Sequence, residues 1–230
     1  MDLTPYFKKY EGLVAAADAA FERVKQAHSD CVKCAEKCAD CCFALFDLTL
    51  IEALYIHHRF NEQFKGSHKI DLLEKANRAD RRIYQIKRKA YRELQSGKNE
   101  GEILAEMSLE RVRCPLLNEK DLCELYEYRP LTCRFYGIPT AIGGAGHTCG
   151  KSGFDQGVQY PTVNLDRVHA RLQEISAELL RDIQSKHIKL ADLLVPLSSA
   201  VIMDFDENYL GVADEPEEKT PRKRGARNKK

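Results

Sequence analysis

Residues 31–42 read Cys31-Val32-Lys33-Cys34-Ala35-Glu36-Lys37-Cys38-Ala39-Asp40-Cys41-Cys42, five cysteines in twelve positions. A second group, Cys114, Cys123, Cys133 and Cys149, falls within thirty-six residues further along. Free cysteine packs well in apolar cores, but core packing gives no reason for two dense blocks. A disulfide scaffold fits no better, because nine cysteines is an odd number and is sparse for 230 residues. Several thiolates brought together suit a soft metal ion or an iron–sulfur cluster. Close spacing supplies several ligands, and a distant loop closes the coordination sphere. Cys31, Cys34, Cys38, Cys41, Cys42, Cys114, Cys123, Cys133 and Cys149 are therefore the candidate metal ligands.

The first block constrains its own geometry. On a helix, its five thiols would lie on one face within about 100°. Cys31 and Cys41 would then stand about 15 Å apart along the axis. One tetrahedral zinc, with sulfur bonds near about 2.3 Å, does not span that distance. Either the helix breaks inside the run, or the thiols serve two centres, or only some ligate. The run holds no glycine or proline, so tight zinc-knuckle turns are not expected in it. That tilts the expected cofactor towards an iron–sulfur cluster, with zinc as the other choice.

Helical periodicity surrounds the blocks. Tyr6, Tyr10, Leu13, Ala17, Phe21 and Val24 recur at three- and four-residue steps, with Thr4 as a cap and Pro5 at the first helical position. Thr49-Leu50-Ile51-Glu52 is a capping-box pattern ahead of Leu54 and Tyr55. Ser67 to Leu94 predicts a long charged helix, with Ile70, Leu73, Ile83, Ile86 or Lys87, Tyr91 and Leu94 inward and Gly97 as its stop. Residues 101–112 predict a shorter helix. Leu165, Val168, Leu172, Ile175, Leu179 and Ile183 mark a final long one. Between them, Cys114 to Tyr160 holds seven of the thirteen glycines together with prolines 115, 130 and 139. Such a long irregular stretch needs an external tie, and cysteine ligation would supply one. The expected fold is mainly α, with helices framing an irregular cysteine-rich loop region. Residues 1–212 are expected to form one domain with its cysteine region at 31–150, and residues 213–230 a charged disordered tail.

The second block carries the more specific pattern. It reads Cys114-Pro115-Leu116-Leu117, then Cys123-Glu124-Leu125-Tyr126, Arg129-Pro130 and Cys133-Arg134. With Cys34, Cys38, Cys41, Cys42, Thr49 and Glu52, it resembles the YkgJ-type cysteine-cluster family, described as a zinc- or iron-chelating domain. The resemblance covers about residues 31 to 150. This chain has three residues between Cys34 and Cys38 where the family has two, an extra cysteine at position 31, and Ala39 where the family has glycine. The resemblance implies metal chelation. Arg134 and Arg129 are candidate hydrogen-bond donors to a negatively charged thiolate centre.

Other features narrow the function. His147, two residues before Cys149, is a further candidate ligand, whereas His57 and His58 are expected on the surface of the second helix. Gly143-Gly144-Ala145-Gly146 lacks the spacing of a phosphate loop. No serine–histidine–acid set is legible, so catalytic residues are unknown. No run approaches the roughly 18 apolar residues of a membrane helix, and Met1–Tyr10 does not read as a signal peptide. The expected location is cytoplasmic, where disulfides are rare. Lys219 to Lys230 holds seven basic residues and no acidic one, leaving 29 basic against 35 acidic before it, a net −6. An acidic body is no general nucleic-acid binder; the basic tail could meet a protein or another acidic partner. The sequence points to a metal-binding protein with a structural, redox or metal-handling role. The alternatives are a redox or group-transfer enzyme using the centre, or a zinc-stabilised interaction module.

Overall fold

Thr49 begins the element around which the rest is arranged. It caps helix α2 (Leu50–Gln63) through a capping box closed by Glu52, as its sequence predicts. Helix α2 is buried on two sides at once: Leu50, Ile51, Ala53, Leu54, Tyr55, Ile56 and Phe60 are all inside. In this computed structural model, which describes residues 1–212, α2 therefore stands between two apolar clusters. One is built with α1 (Thr4–Ala27) and α6 (Leu165–Asp182), through Tyr10, Ala17, Leu172 and Leu179. The other is built with α3 (Gly66–Gln95) and α7 (Leu197–Ile202), through Leu72, Ala76, Ala200 and Val201. Each fully buried Leu, Ile or Phe contributes about 1.5–3 kcal/mol, so this central helix organises both halves.

The fold is mainly α, with α4 (Glu100–Leu109) and α5 (Leu131–Phe135) completing seven α-helices among the described residues. Strand is scarce. Strand β1 (Asp47–Thr49) pairs antiparallel with β5 (Leu194–Pro196), Leu48 opposite Val195. Strands β2 (Thr140–Ile142) and β3 (Ala145–His147) form a hairpin, and β4 (Val163–Asn164) joins β2 in parallel. The hairpin turns at Gly143 and Gly144, with φ of +56° and +80°, the pairing that a two-residue turn with two left-handed positions requires. The glycine run thus makes a turn.

Several expectations change in detail. The residue before α1 is Leu3, and Thr4 lies inside the helix, its N–H satisfied by Asp2 at 2.9 Å. Helix α3 spans the expected range, but it buries Leu72, Ala76, Ala79 and Ile86. Ile70, Tyr91 and Leu94 face water, at 59 %, 62 % and 47 % exposure. The inward stripe is narrower than the apolar residues alone suggest, because α7 and α4 cover only part of this long helix. The tail at 213–230 lies outside the described residues. No described helix is long and apolar enough to cross a membrane.

Candidate metal centre

The first cysteine block is not helical. Helix α1 ends at Ala27, and the chain runs irregularly to a single 3-10 turn at Asp40–Phe43. Lys37 adopts φ of +65°, and the Cys38 N–H returns to the Ala35 carbonyl at 3.0 Å. The run therefore turns tightly without glycine or proline. The expectation that it would avoid tight turns is wrong, and the tilt towards iron that rested on it goes too. A lysine pays the left-handed strain here, at a place where glycine would be the easier residue.

Backbone hydrogen bonds bring the two blocks together. The Cys114 N–H donates to the Cys42 carbonyl at 2.7 Å, and Val112 donates to Phe43 at 3.1 Å. Cys123 forms an isolated bridge with Leu117, closed by Glu124 N–H to Leu116 at 2.8 Å. Between them Asn118 Oδ1 accepts from Lys120 and Leu122, an Asx turn that reverses the chain. Cys133 rides on α5, which begins after Pro130 and is anchored from below. The Leu131 N–H donates to Glu52 Oε1 at 3.2 Å. Glu52 thus caps α2 and holds α5, and its burial raises its pKa above 4.5. Sequence reading assigns it only the cap.

Five thiols, from Cys41, Cys42, Cys114, Cys123 and Cys133, line one cavity of about 50 Å³. Its other walls are mainly apolar, among them Leu116, Leu125 and Pro130, and Arg129 is nearby. The thiols act on one another. Hydrogen bonds from Cys133 and then Cys42 push Cys41 well below the ordinary thiol value. The Cys41 thiolate, followed by burial, pushes Cys133 up, and the same pair of causes raises Cys42. Burial raises Cys114 to about 12 and also lifts Cys123. These hydrogen bonds favour charge on one thiol at the expense of its neighbours, in a crowded sulfur set whose cavity is also lined by Arg113 and Arg129. The guanidinium of Arg129 helps hold Cys41 in its charged form. Among the described residues, no three His, Cys, Asp or Glu side chains already stand in the geometry of a single-ion site.

A wider cleft of about 820 Å³ opens against the same sulfurs, sharing Cys41, Cys42, Cys123 and Cys133. Cys34, Cys38 and Cys149 also line it. Cys31 lies away from both, packed at the edge of the α1–α6 core, with the Gly153 N–H on its carbonyl at 2.8 Å. His147 is exposed on β3 and lines neither cavity. His57 departs from expectation. It is half-buried, its Nδ1 3.2 Å from the Ala200 carbonyl, while His58 is exposed.

The two arginines divide their work. Arg134 is buried at 5 % exposure and grips Asp18 of α1 with Nη1, at 2.8 and 2.6 Å. Its other nitrogens bond the carbonyls of Arg129 and Glu127. It is a clasp between α1 and the second block. Arg129 stacks on the Tyr126 ring, 3.9 Å from its centroid, at the rim of both cavities. Sequence reading missed Asp18 and Tyr136, which line the cleft, and Asp40, which accepts from the Tyr136 hydroxyl behind it. Asp40 sits between cysteines in the first block, a position that could have drawn attention to it.

Comparison with known proteins adds one finding. The family model described as CxxCxxCC, a putative zinc- or iron-chelating domain, matches residues 33–150, just over half of the chain. No curated protein and no solved structure matches.

Proposed function

The chain belongs to the CxxCxxCC family, and from that premise we propose that it holds an iron–sulfur cluster on thiolates drawn from Cys41, Cys42, Cys114, Cys123 and Cys133. One observation carries this reading: five thiols from both blocks line a single small, largely apolar cavity. Four thiolates complete a four-iron cluster, so the set has one to spare. A mononuclear zinc would draw its sulfurs to about 2.3 Å from one centre. Five thiols, including the adjacent pair Cys41 and Cys42, line the one cavity, which suits a cluster of several iron atoms better than one ion. Arg129 partly offsets the charge that four thiolates bring. When bound, a cluster would supply one-electron chemistry. The chain's own residues hold it and tie the second block to the first.

A second reading, that the centre serves an enzyme, draws support from the adjoining cleft. At about 820 Å³ it falls in the size range of small-molecule sites, and it reaches four of the five sulfurs. A redox or group-transfer role would use that access, whereas a purely structural centre has no need of it.

Anaerobic purification with metal analysis and a visible spectrum tests the assignment. The expected result is a coloured protein containing iron and acid-labile sulfide. Its colour is lost in Cys133→Ser and kept in whichever of Cys41→Ser and Cys42→Ser alters the spare thiol. Stoichiometric zinc without iron or colour would overturn the cluster and leave a zinc–thiolate site.

A further inference from the structure

Away from the sulfurs, helix α3 repeats a short motif. Arg81-Arg82-Ile83-Tyr84 is followed seven residues on by Arg88-Lys89-Ala90-Tyr91. Seven residues are close to two helical turns, so the second copy falls on the same face as the first. Arg78 and Arg92 extend that face at either end. It lies opposite Leu72, Ala76, Ala79 and Ile86, the residues that α3 buries. All four arginines are exposed, and Tyr84 and Tyr91 stand open at 60 % and 62 % exposure. From Arg78 to Arg92 the stripe runs about 21 Å along the helix axis.

The protein leaves these charges unused. Elsewhere on α3, Lys87 engages Asp47 at 2.7 Å, Arg82 engages Glu110 at 3.2 Å, and Lys89 reaches Glu93 at 3.6 Å. Among the described residues, Arg81, Arg88 and Arg92 make no ion pair, and Arg78 reaches only Glu74, at 3.9 Å. From residue 77 to residue 95 this face holds no carboxylate. Asp80 turns to Ser198 and Ser199, and Glu93 turns to Lys89 and Lys98. Arg78 with Arg81, and Arg88 with Arg92, are like-charge neighbours three and four residues apart, an arrangement that weakens a helix. A merely solvated face alternates its signs. Arg92 complements the helix dipole from the last turn, but Arg78 and Arg81 are mid-helix and do not. On α3, nine arginines and lysines face four carboxylates, a net +5, while the rest of residues 1–218 carries −11. An anionic partner is therefore drawn to this helix and repelled by the acidic remainder.

We propose that this face of α3 is a docking surface for a single-stranded nucleic acid. Guanidinium groups pair with phosphate oxygens in bidentate fashion, and tyrosine rings stack on unpaired bases. A charge and a ring that recur at a fixed interval suit a polymer whose every unit carries both a phosphate and a base. A duplex presents the phosphates but keeps its bases stacked inside, away from the rings. An acidic peptide would satisfy the charges and leave the two exposed rings unused. A second copy of this chain would set arginine against arginine. The inference does not depend on which metal the thiols hold.

The test uses the full chain, purified without oxygen, and follows the fluorescence anisotropy of labelled oligo(dT) and oligo(rU). Probes of about 20 nucleotides exceed a single-strand site of about 4–16. Residues 219–230 are also candidate phosphate contacts, so they stay in every variant; they include no aromatic residue. Each phosphate neutralised on a single strand adds about 0.7 to the slope of log affinity against log salt, so Arg81→Gln with Arg88→Gln should flatten that slope by about 1.4. Tyr84→Leu with Tyr91→Leu should weaken binding at least about fivefold, and phenylalanine at both positions should restore it. Arg167→Gln with Arg171→Gln, at exposed positions of α6, removes the same charge and should change affinity less than about twofold. Circular dichroism and metal content confirm that each variant is folded and loaded. Unchanged affinity and slope in the α3 variants would leave residues 219–230 as the contact and overturn the proposal. Equal weakening by the α6 pair would reduce the effect to net charge and overturn it too. So would a duplex of the same length bound as tightly as oligo(dT), which removes the stacking. Poly-glutamate of matching charge that competes as well as oligo(dT) would replace the nucleic acid with an acidic protein.

Discussion

Arg134 offers a test of how the second cysteine block is held against α1. Replacing it with methionine keeps much of the apolar stem and removes the three-way fork. The Arg129 carbonyl is the more sheltered acceptor; leaving it unpaired costs about 1–3 kcal/mol. Asp18 is 45 % exposed and Glu127 lies on an exposed stretch, so both regain water when the guanidinium goes. Together they add only about 1 kcal/mol after solvent screening. Arg134→Met should therefore lose about 2–4 kcal/mol, the range that these contributions span. Urea unfolding of the metal-loaded full chain measures it, with an unchanged denaturant slope as the control for a two-state transition. Arg134→Lys should recover less than half, because an ammonium is a point charge and cannot reach three acceptors in fork geometry. A methionine variant within about 0.5 kcal/mol of the parent, the scatter of an ordinary surface substitution, would refute the clasp. Full recovery with lysine would show that charge beside Asp18 matters and the fork does not.

Two further outcomes follow from buried and close-packed groups. Glu52 has a folded pKa raised above 4.5 by burial, so the cost of its charge is absent below that value and grows as pH rises through the folded value. Comparing Glu52→Gln with the parent at pH 4 and pH 7 by urea unfolding should shift the stability difference towards glutamine at the higher pH; a difference independent of pH would contradict the buried charge. Gly137→Ala should cost about 1–2 kcal/mol from its left-handed backbone and push Cys34 off the Tyr136 carbonyl. Alkylation footprinting should then find Cys34 more reactive, while Gly146→Ala, with open space around it, should change nothing; equal Cys34 labelling in both would rule out the close approach.

Much of the architecture was legible in the sequence because it is written in local chemistry. The capping box at Thr49 and Glu52, the stripes of α1 and α6 and the stop at Gly97 depend on residues within a turn or two of one another. The two cysteine blocks, and the family they carry, were legible for the same reason, since ligand type and spacing are properties of the chain. Which face of α3 goes inward was not, because Ile70, Tyr91 and Leu94 are exposed wherever no helix happens to cover them. The turn at Lys37 escaped notice because lysine carries no turn signal; surrounding structure imposes its left-handed conformation.

The sequence by itself determined that this chain is mainly helical, that its thiols gather in two blocks, and that those thiols suit a metal. Only the tertiary structure decided how they are divided. Cys42 meets Cys114 because two backbone hydrogen bonds join segments about seventy residues apart, and Cys133 joins them because Glu52 holds the start of α5 from another helix. Cys34, Cys38 and Cys149 fall to the outer cleft because Gly137 leaves room for one sulfur and Asp40 reaches another. Each of these choices depends on the distance between remote groups, and neither spacing nor periodicity along a chain encodes that distance.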